Sequence, residues 1–285
     1  MNFKKVGILY HPRVETTLAK AKELETSLTM QGVTTWICSS WEKETIQSRL
    51  EGTDLLLTVG GDGTILRAVQ AVIPTTIPIT GINQGKLGFL TEFDAAEAIQ
   101  KLSLLFTEPG WLDQRAMIQA ELSSQGQEPR VFHALNDVVL GRGEVARIIR
   151  IDAAIDGQPL TSYKTDALIV ATATGSTGYA LAARGPILHP QSRDILLVPV
   201  APHLSLSYPL VLPETAEIQL RLNAYHAATL SIDGQINLPV SDGATVTVKR
   251  SPHVARFFRV RSEKSFYRSL EEKLKGKQGD SGRKS

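Results

Sequence analysis

The sequence predicts an α/β domain followed by a β-rich one. Over the first hundred of its 285 residues, apolar runs of strand length alternate with stretches at helical spacing, the pattern of a parallel, Rossmann-like sheet with helices on its faces. One of those strand candidates runs into a cluster of glycines and from there into a helix. After Pro109 and Gly110 the texture changes to short strand-like runs separated by Gly, Pro, Asn and Asp, with few helical patterns between them. The expected domains are 1–106, completed by a returning segment 256–276, and 107–255, with a polar tail 277–285 expected to be disordered.

Taken in order, VGILY (6–10) is the first strand candidate. Residues 16–30 follow, with Leu18, Ala21, Leu24 and Leu28 at helical spacing and Gly32 as a stop. TTWICSS (34–40) is strand-like and WEKETIQSRLEG (41–52) helical. In DLLLTVGGDGTILRAVQAVI (54–73) a buried strand meets Gly60, Gly61, Asp62, Gly63 and Thr64 and turns into a helix. IPITGIN (77–83) is the next strand. NQGKLGFLTEF (83–93) is a glycine-containing loop leading to a helix over DAAEAIQKLSLLF (94–106). The second domain holds RAMIQAEL, RVFHALNDVVL, RIIRIDAAIDGQPL, DALIVATA, DILLVPV, EIQLRL, ATLSIDGQ and ATVTVKR. SEKSFYRSLEEKLKG (262–276) returns to helical spacing, and its Phe266, Leu270 and Leu274 are expected to pack back on the first domain.

The glycine cluster carries chemistry. Without a Cβ at 60, 61 and 63 a phosphate approaches the backbone N–H groups closely, and the helix starting near Thr64 points its positive end at the same spot. The turn falls at the carboxyl end of a strand, where open α/β sheets place ligands. A carboxylate inside such a cradle works against simple anion binding, so Asp62 suggests reaction: accepting a proton from an attacking hydroxyl, or helping to hold Mg²⁺ against the phosphates. Taken alone, GGDG also fits a tight turn with Asp62 capping the next helix.

Composition narrows the setting. Thirty-one basic and 29 acidic residues leave a net charge of +2, which implies no general attraction to nucleic acid or anionic membranes. The one cysteine, Cys38, forms no intrachain disulfide, and no cluster of ligand pairs marks a structural zinc site; which residues bind a metal is left open. No apolar run is long enough to span a bilayer, and the N-terminus lacks a signal-peptide core. The expectation is a cytoplasmic protein.

Two constellations mark the second domain. Asn136 and Asp137 interrupt the strand-like HALNDVVLG, as either a turn or a contact would require. In residues 165–190 an apolar strand ends in Thr172, Thr174, Gly175, Ser176, Thr177 and Gly178, hydroxyls and glycines suited to presenting donors to a polar ligand. Tyr179 offers an aromatic face to a base.

GGDGT (60–64), NQGKLGFLTEF (83–93), ND (136–137), TATGSTGYALAARGPILHP (172–190), PHLSLSYPLVLP (202–213) and SIDGQ (231–235) together resemble, in order and approximate spacing, the NAD kinases. That family phosphorylates the 2′-hydroxyl of the adenosine ribose of NAD. GGDGT alone is shared with diacylglycerol and sphingosine kinases; TGSTGYALAARGPILHP is the more specific part. Departures from the usual TPTGSTAYSLSAGGPIVHP are Ala173 for proline, Gly178 for the small residue before the tyrosine, Ala180 and Ala182 for serines, and Arg184 for a glycine. Ser207 and Tyr208 stand where the family tends to have an aromatic followed by arginine.

The resemblance implies ATP or polyphosphate as donor, NAD as acceptor and a divalent metal, with Mg²⁺ expected. Asp62 looks like the proton acceptor, and the backbone at Gly61 and Gly63 like a holder of donor phosphates. Asn136 and Asp137 look like ribose contacts. Asp166, Thr174, Thr177, Gly178, Tyr179, Ala180, Leu181, Ala182, Ala201 and Gln235 look like the lining of the dinucleotide pocket. Arg67, Arg147 and Lys164 stand where the family uses charged contacts. A homo-oligomer, dimer or tetramer, is implied as well, with small molecules rather than nucleic acid or membrane as partners. The rivals are a lipid kinase sharing the glycine turn and a non-catalytic NAD-binding sensor.

Overall fold

The computed structural model describes residues 3–85, 88–143, 148–203, 207–223, 228–262, 266–267 and 270. The chain forms two compact units, one from the described residues of Met1–Asp113 and Arg256–Ser285, the other Gln114–Ala255.

The first unit begins with β1 (Lys5–Tyr10), α1 (Glu15–Met30), β2 (Thr34–Ser39), α2 (Lys43–Gln47), β3 (Leu55–Gly60), α3 (Asp62–Val72) and β4 (Ile79–Asn83). It continues through β5 (Phe93–Asp94), α4 (Ala95–Lys101) and α5 (Leu104–Thr107). The strands pair in parallel in the order β4–β3–β1–β2, with β5 parallel to β4. Strand β3, LLLTVG, is buried at every position, as a parallel strand covered by helices on both faces must be. One face of α1 brings Ala21, Leu24 and Leu28 onto Val6, Ile8, Leu55 and Leu57. Because β2 and β3 leave β1 in opposite directions, the strand order reverses between β1 and β3. The glycine turn lies at the carboxyl end of that switch point, where doubly wound sheets open a crevice.

Three sequence expectations are corrected here. The helix over 41–52 shrinks to α2, because Arg49 and Leu50 donate to the carbonyls three residues back and the chain tightens out of α geometry. The helix over 94–106 divides into α4 and α5. The strand expected to end at Arg250 runs on as Thr245–Arg259, and near its end Phe257 pairs in parallel with Ile79 of β4. Of the C-terminal helix, Phe266, Tyr267 and Leu270 are helical; the rest, with Leu274 and the 277–285 tail, lies outside the described residues.

The second unit is antiparallel. After β6 (Trp111–Ser123) come β7 (Arg130–Ala134), β8 (Asp137–Arg142), β9 (Ile149–Ile155), β10 (Gln158–Thr165) and β11 (Ala167–Ala171). A short α6 (Tyr179–Ala182) precedes β12 (Ile195–Val200), β13 (Leu210–Leu212), β14 (Ile218–Asn223), β15 (Ala228–Ile232), β16 (Ile236–Val240) and β17 (Thr245–Arg259). One sheet runs β13–β12–β11–β8–β15–β16; β10, β9, β14 and β17 pair in another. Leu140, Leu168, Val170, Leu197 and Leu230 of the first meet Ile151, Tyr163, Leu220 and Val246 of the second in one apolar core. The register sets Asp137 opposite Ala171 and Ile232 opposite Val138, which brings the start of β8 and the ends of β11 and β15 to one place. This fold agrees with the α/β plus β-rich expectation.

Candidate active site

In the first unit Gly61 caps α3 and Asp62 is its first residue, yet the Asp62 carboxylate makes no capping bond to its own helix. Its Oδ2 accepts the N–H of Phe89 at 2.8 Å and its Oδ1 the N–H of Leu90 at 3.1 Å. Gly88 makes this possible: a Cβ there would lie 2.2 Å from Oδ1. Asp62 is therefore an oriented carboxylate rather than a helix cap, and each oxygen keeps lone-pair capacity for a further partner. Among the described residues nothing lies within 4 Å of where a Cβ at Gly61 or Gly63 would sit, which leaves room there for a ligand.

A buried ion cluster stands behind the clamp. Arg259 donates from Nη1 to the Leu90 carbonyl at 2.7 Å and pairs with Glu92 at 3.4 Å and Asp113 at 3.3 Å, all three being buried. Glu92 Oε1 in turn accepts the N–H groups of Val260 and Arg261. Residues 89–92, which hold Asp62, are thus fastened to the end of the last strand. Arg67 lies on the half-buried flank of α3 with its guanidinium 4.7 Å from the Trp41 ring centroid.

The second unit gathers a different set. Asp233, at a left-handed φ of 51° after β15, accepts three successive amides: Leu135 (3.0 Å), Asn136 (2.7 Å) and Asp137 (3.1 Å). Asp137 is 7% exposed, and its carboxyl is pushed up to about 7, by burial first and the Asp233 charge second. The Asn136 side-chain oxygen is buried and has no hydrogen-bond partner among the described residues. The backbone of Gly175 passes so close to Asn136 that a Cβ would sit 2.0 Å from its carbonyl oxygen.

The hydroxyl run after β11 behaves differently from the sequence expectation. Thr172 donates to the Leu135 carbonyl, Ser176 to Ala173 and Thr177 to Thr174, and all of these residues, with Thr174, are buried. These hydroxyls build the turn instead of facing a ligand. What the turn presents is Gly178, Tyr179 and Ala182, all exposed, with Leu181 half-buried and Ala180 buried behind them.

Two adjoining cavities open at this turn. One, of about 340 Å³, is lined by Asn136, Asp137, Tyr179, Ser231, Asp233 and Gly234. The other, of about 320 Å³, shares Val139, Tyr179 and Ser231 and adds Arg142 and Asp166, an ion pair at 3.2 Å. Each is of a size that suits part of a small-molecule ligand.

Asn136, Asp137, Asp166 and Tyr179 are thereby brought together. Gln235 is half-buried in the turn beyond Asp233, and its N–H bonds the Ile232 carbonyl. Ala201 follows β12 at a φ of 47°, and exposed Lys164 accepts the His203 N–H on its carbonyl. Arg147 lies outside the described residues. Arg184 takes φ 65°, a left-handed backbone that glycine adopts without strain, in keeping with the glycine of the pattern that the sequence resembles. Sequence reasoning missed Asp233, Arg142, Gly88 and Arg259. Asp233 sat in the singled-out SIDGQ, of which Gln235 alone was assigned to the site.

Among the described residues no group of three or more His, Cys, Asp or Glu side chains is placed to hold a metal ion, and no helix is long and apolar enough to cross a membrane.

Residues 6–109 match the ATP-NAD kinase N-terminal domain and residues 135–260 the ATP-NAD kinase C-terminal domain. The NAD kinase of Dehalococcoides mccartyi (strain CBDB1) is 45% identical over 275 residues, 96% of this chain and 97% of that protein. Among solved structures, yeast NADH kinase complexed with NADH superposes with a TM-score of 0.83 at 28% identity, covering 96% of this chain and 88% of that one. An Archaeoglobus fulgidus NAD kinase in complex with ATP gives 0.76 at 26% identity, covering 95% and 98%.

Proposed function

This chain belongs to the NAD kinase family, and on that footing we propose how its residues carry out the reaction, phosphoryl transfer to the 2′-hydroxyl of the adenosine ribose of NAD to give NADP. The observation that carries the assignment of roles is the clamped carboxylate of Asp62 inside an open glycine turn at the start of α3. The 2′-oxygen bonds the terminal phosphorus of the donor as the bond to the leaving phosphate breaks, and the hydroxyl proton passes to Asp62. Gly61 and Gly63 offer backbone to the donor phosphates, with ATP or polyphosphate as the source. The structures with NADH and with ATP support substrates of this kind.

Asn136 and Asp137 hold the ribose hydroxyls: an unpartnered amide oxygen and a carboxyl titrating near neutrality suit hydroxyl donors. Asp166, Thr174, Thr177–Ala182, Ala201 and Gln235 form the dinucleotide pocket, Thr174, Thr177 and Ala180 as its buried backing and Tyr179 as a stacking face. Arg67, Arg147 and Lys164 make charged contacts. The side chains suit Mg²⁺ that arrives on the donor phosphates, as it usually does when a protein supplies only one or two carboxylates, and Asp62 is the carboxylate nearest that role. Such an ion offsets charge on the transferring group. The same reading makes the protein a cytoplasmic homo-oligomer, dimer or tetramer, that supplies NADP and engages neither nucleic acid nor membrane. Full-length likeness to NAD kinases argues against the lipid kinase and the silent sensor.

The test is incubation of purified protein with NAD, Mg²⁺ and either ATP or polyphosphate, with an NADP-specific readout. NADP is expected with at least one donor. Asp62→Asn is expected to bind NAD as before and to lose about 10²–10⁴-fold in turnover. No NADP with either donor overturns the reading; equal loss of binding and turnover makes Asp62 structural.

A further inference from the structure

Strands β1, β2 and β3 are parallel, with Tyr10 in register with both Ser39 and Val59. The residues that follow them, His11–Arg13, Ser40–Trp41 and the glycine turn, therefore leave the sheet at the same edge. Arg67 joins them from α3: it lies five residues after Asp62, and helical side chains lean back toward the N-terminus. There Trp41, 39% exposed, collects two cations, with the guanidinium carbon of Arg13 at 4.4 Å and that of Arg67 at 4.7 Å from its ring centroid. The His11 ring stands at 6.0 Å, edge-on.

A pair of arginines stacked on a tryptophan is ordinary surface decoration when carboxylates balance them. Here none does. Among the described residues neither guanidinium has an ion-pair or hydrogen-bond partner, so two like charges no more than about 9 Å apart are left facing each other. The arrangement is built rather than loose. Thr17 Oγ1 donates to the carbonyls of His11 and Val14, and the Arg13 N–H donates to His11 Nδ1, which fixes the loop that presents Arg13. Two hydroxyls at this edge are also unspent. Thr64 Oγ1, in a residue 1% exposed, lies 2.2 Å from where a Gly60 Cβ would be, and Ser40 Oγ, in a residue 3% exposed, precedes Trp41; among the described residues neither has a hydrogen-bond partner.

Surplus cations, a pinned loop and unsatisfied buried donors beside a glycine turn all call for a polyanion. We propose that Arg13, Trp41 and Arg67 form a phosphate-chain subsite that grips the donor's phosphates next to the turn, Arg13 and Trp41 being specificity determinants that sequence motifs do not mark. The proposal rests on the kinase reading above. Its ligand chemistry is a linear chain of linked phosphates, whether borne by a nucleotide or inorganic. The guanidiniums bind it as charge-assisted donors, and the indole holds them in place.

The test titrates sodium tripolyphosphate into the full-length protein, by calorimetry and by indole fluorescence, and then measures KM for ATP, for polyphosphate and for NAD. Saturable tripolyphosphate binding is expected, weakened about tenfold or more in Arg13→Gln and only partly in Arg13→Lys. KM for a donor rises by a similar factor while KM for NAD holds. A rise confined to ATP names the nucleotide as the source, and one confined to polyphosphate names the inorganic chain. Equal tripolyphosphate affinity in wild type and Arg13→Gln overturns the subsite, and so does a loss shared equally with NAD. If the wild type forms no NADP at all, the kinase reading falls, and the tripolyphosphate titration still decides the subsite.

Discussion

Asp137 and Asp233 sit back to back at the ends of β8 and β15, and only one of them has its charge answered by amides. The folded state holds the Asp137 proton up to about pH 7, whereas the unfolded chain releases it near 3.8. Stability from this group is thus fully present below 3.8, declines as pH rises and is gone above about 7, a loss of roughly 4 kcal/mol over the whole window. Asp137→Asn removes the titration. Urea unfolding at pH 5 and pH 8 should show the variant gaining a few kcal/mol on the wild type at the higher pH. The residue pattern ND was legible in the sequence; its partner was not. An Asp-Gly pair is what any turn uses, and only the register of β8 with β15 reveals that Asp233 binds three amides and stands with Asp137 at one cavity.

At the level of elements, the last strand and the loop before β5 act as one support. Arg259 reaches from the former to the Leu90 carbonyl, and the Leu90 N–H reaches Asp62. Arg259→Met removes the cation that buried Glu92 and Asp113 share and should cost about 3–5 kcal/mol of stability, seen as a lower melting temperature. Arg259→Lys keeps a charge but not the fork. It should retain most of that stability and still lower kcat, with KM for NAD unchanged, because a single ammonium cannot serve the carbonyl and two carboxylates in one plane. The elements themselves were largely legible: β1 to β4, α1 and α3 follow apolar periods that the chain obeys. The extension of β17 was hidden by Ser251 and Pro252, which read as a strand end, and the contraction of α2 by a helical period that its last turn does not keep.

At the scale of the whole molecule, the first unit is assembled from both ends of the sequence, with Arg256 onward returning to it. Phe258 packs against Phe3 at 5.0 Å between ring centroids, and its carbonyl accepts a hydrogen bond from the Thr80 hydroxyl. A chain ended after Ala255 should therefore lose thermal stability in the first unit while the antiparallel core of the second persists, two transitions by calorimetry where the full chain is compared alongside. It should form no NADP. The sequence pattern showed that a segment returns, but not which bonds depend on its return, because Arg259 is an unremarkable letter until Leu90 and Glu92 stand beside it.

The bond between Arg259 and the Leu90 carbonyl joins residues 169 positions apart, and that span is also an interval of time. At about 5–20 residues per second a ribosome takes roughly 10–30 s to make the intervening chain. Throughout that interval the glycine turn has been synthesised and the guanidinium that fixes the carboxylate's cradle has not. Until the ribosome has passed Arg259, the cradle of Asp62 lacks the cation that fastens it, so the fastening of this carboxylate is a late event in the making of the chain.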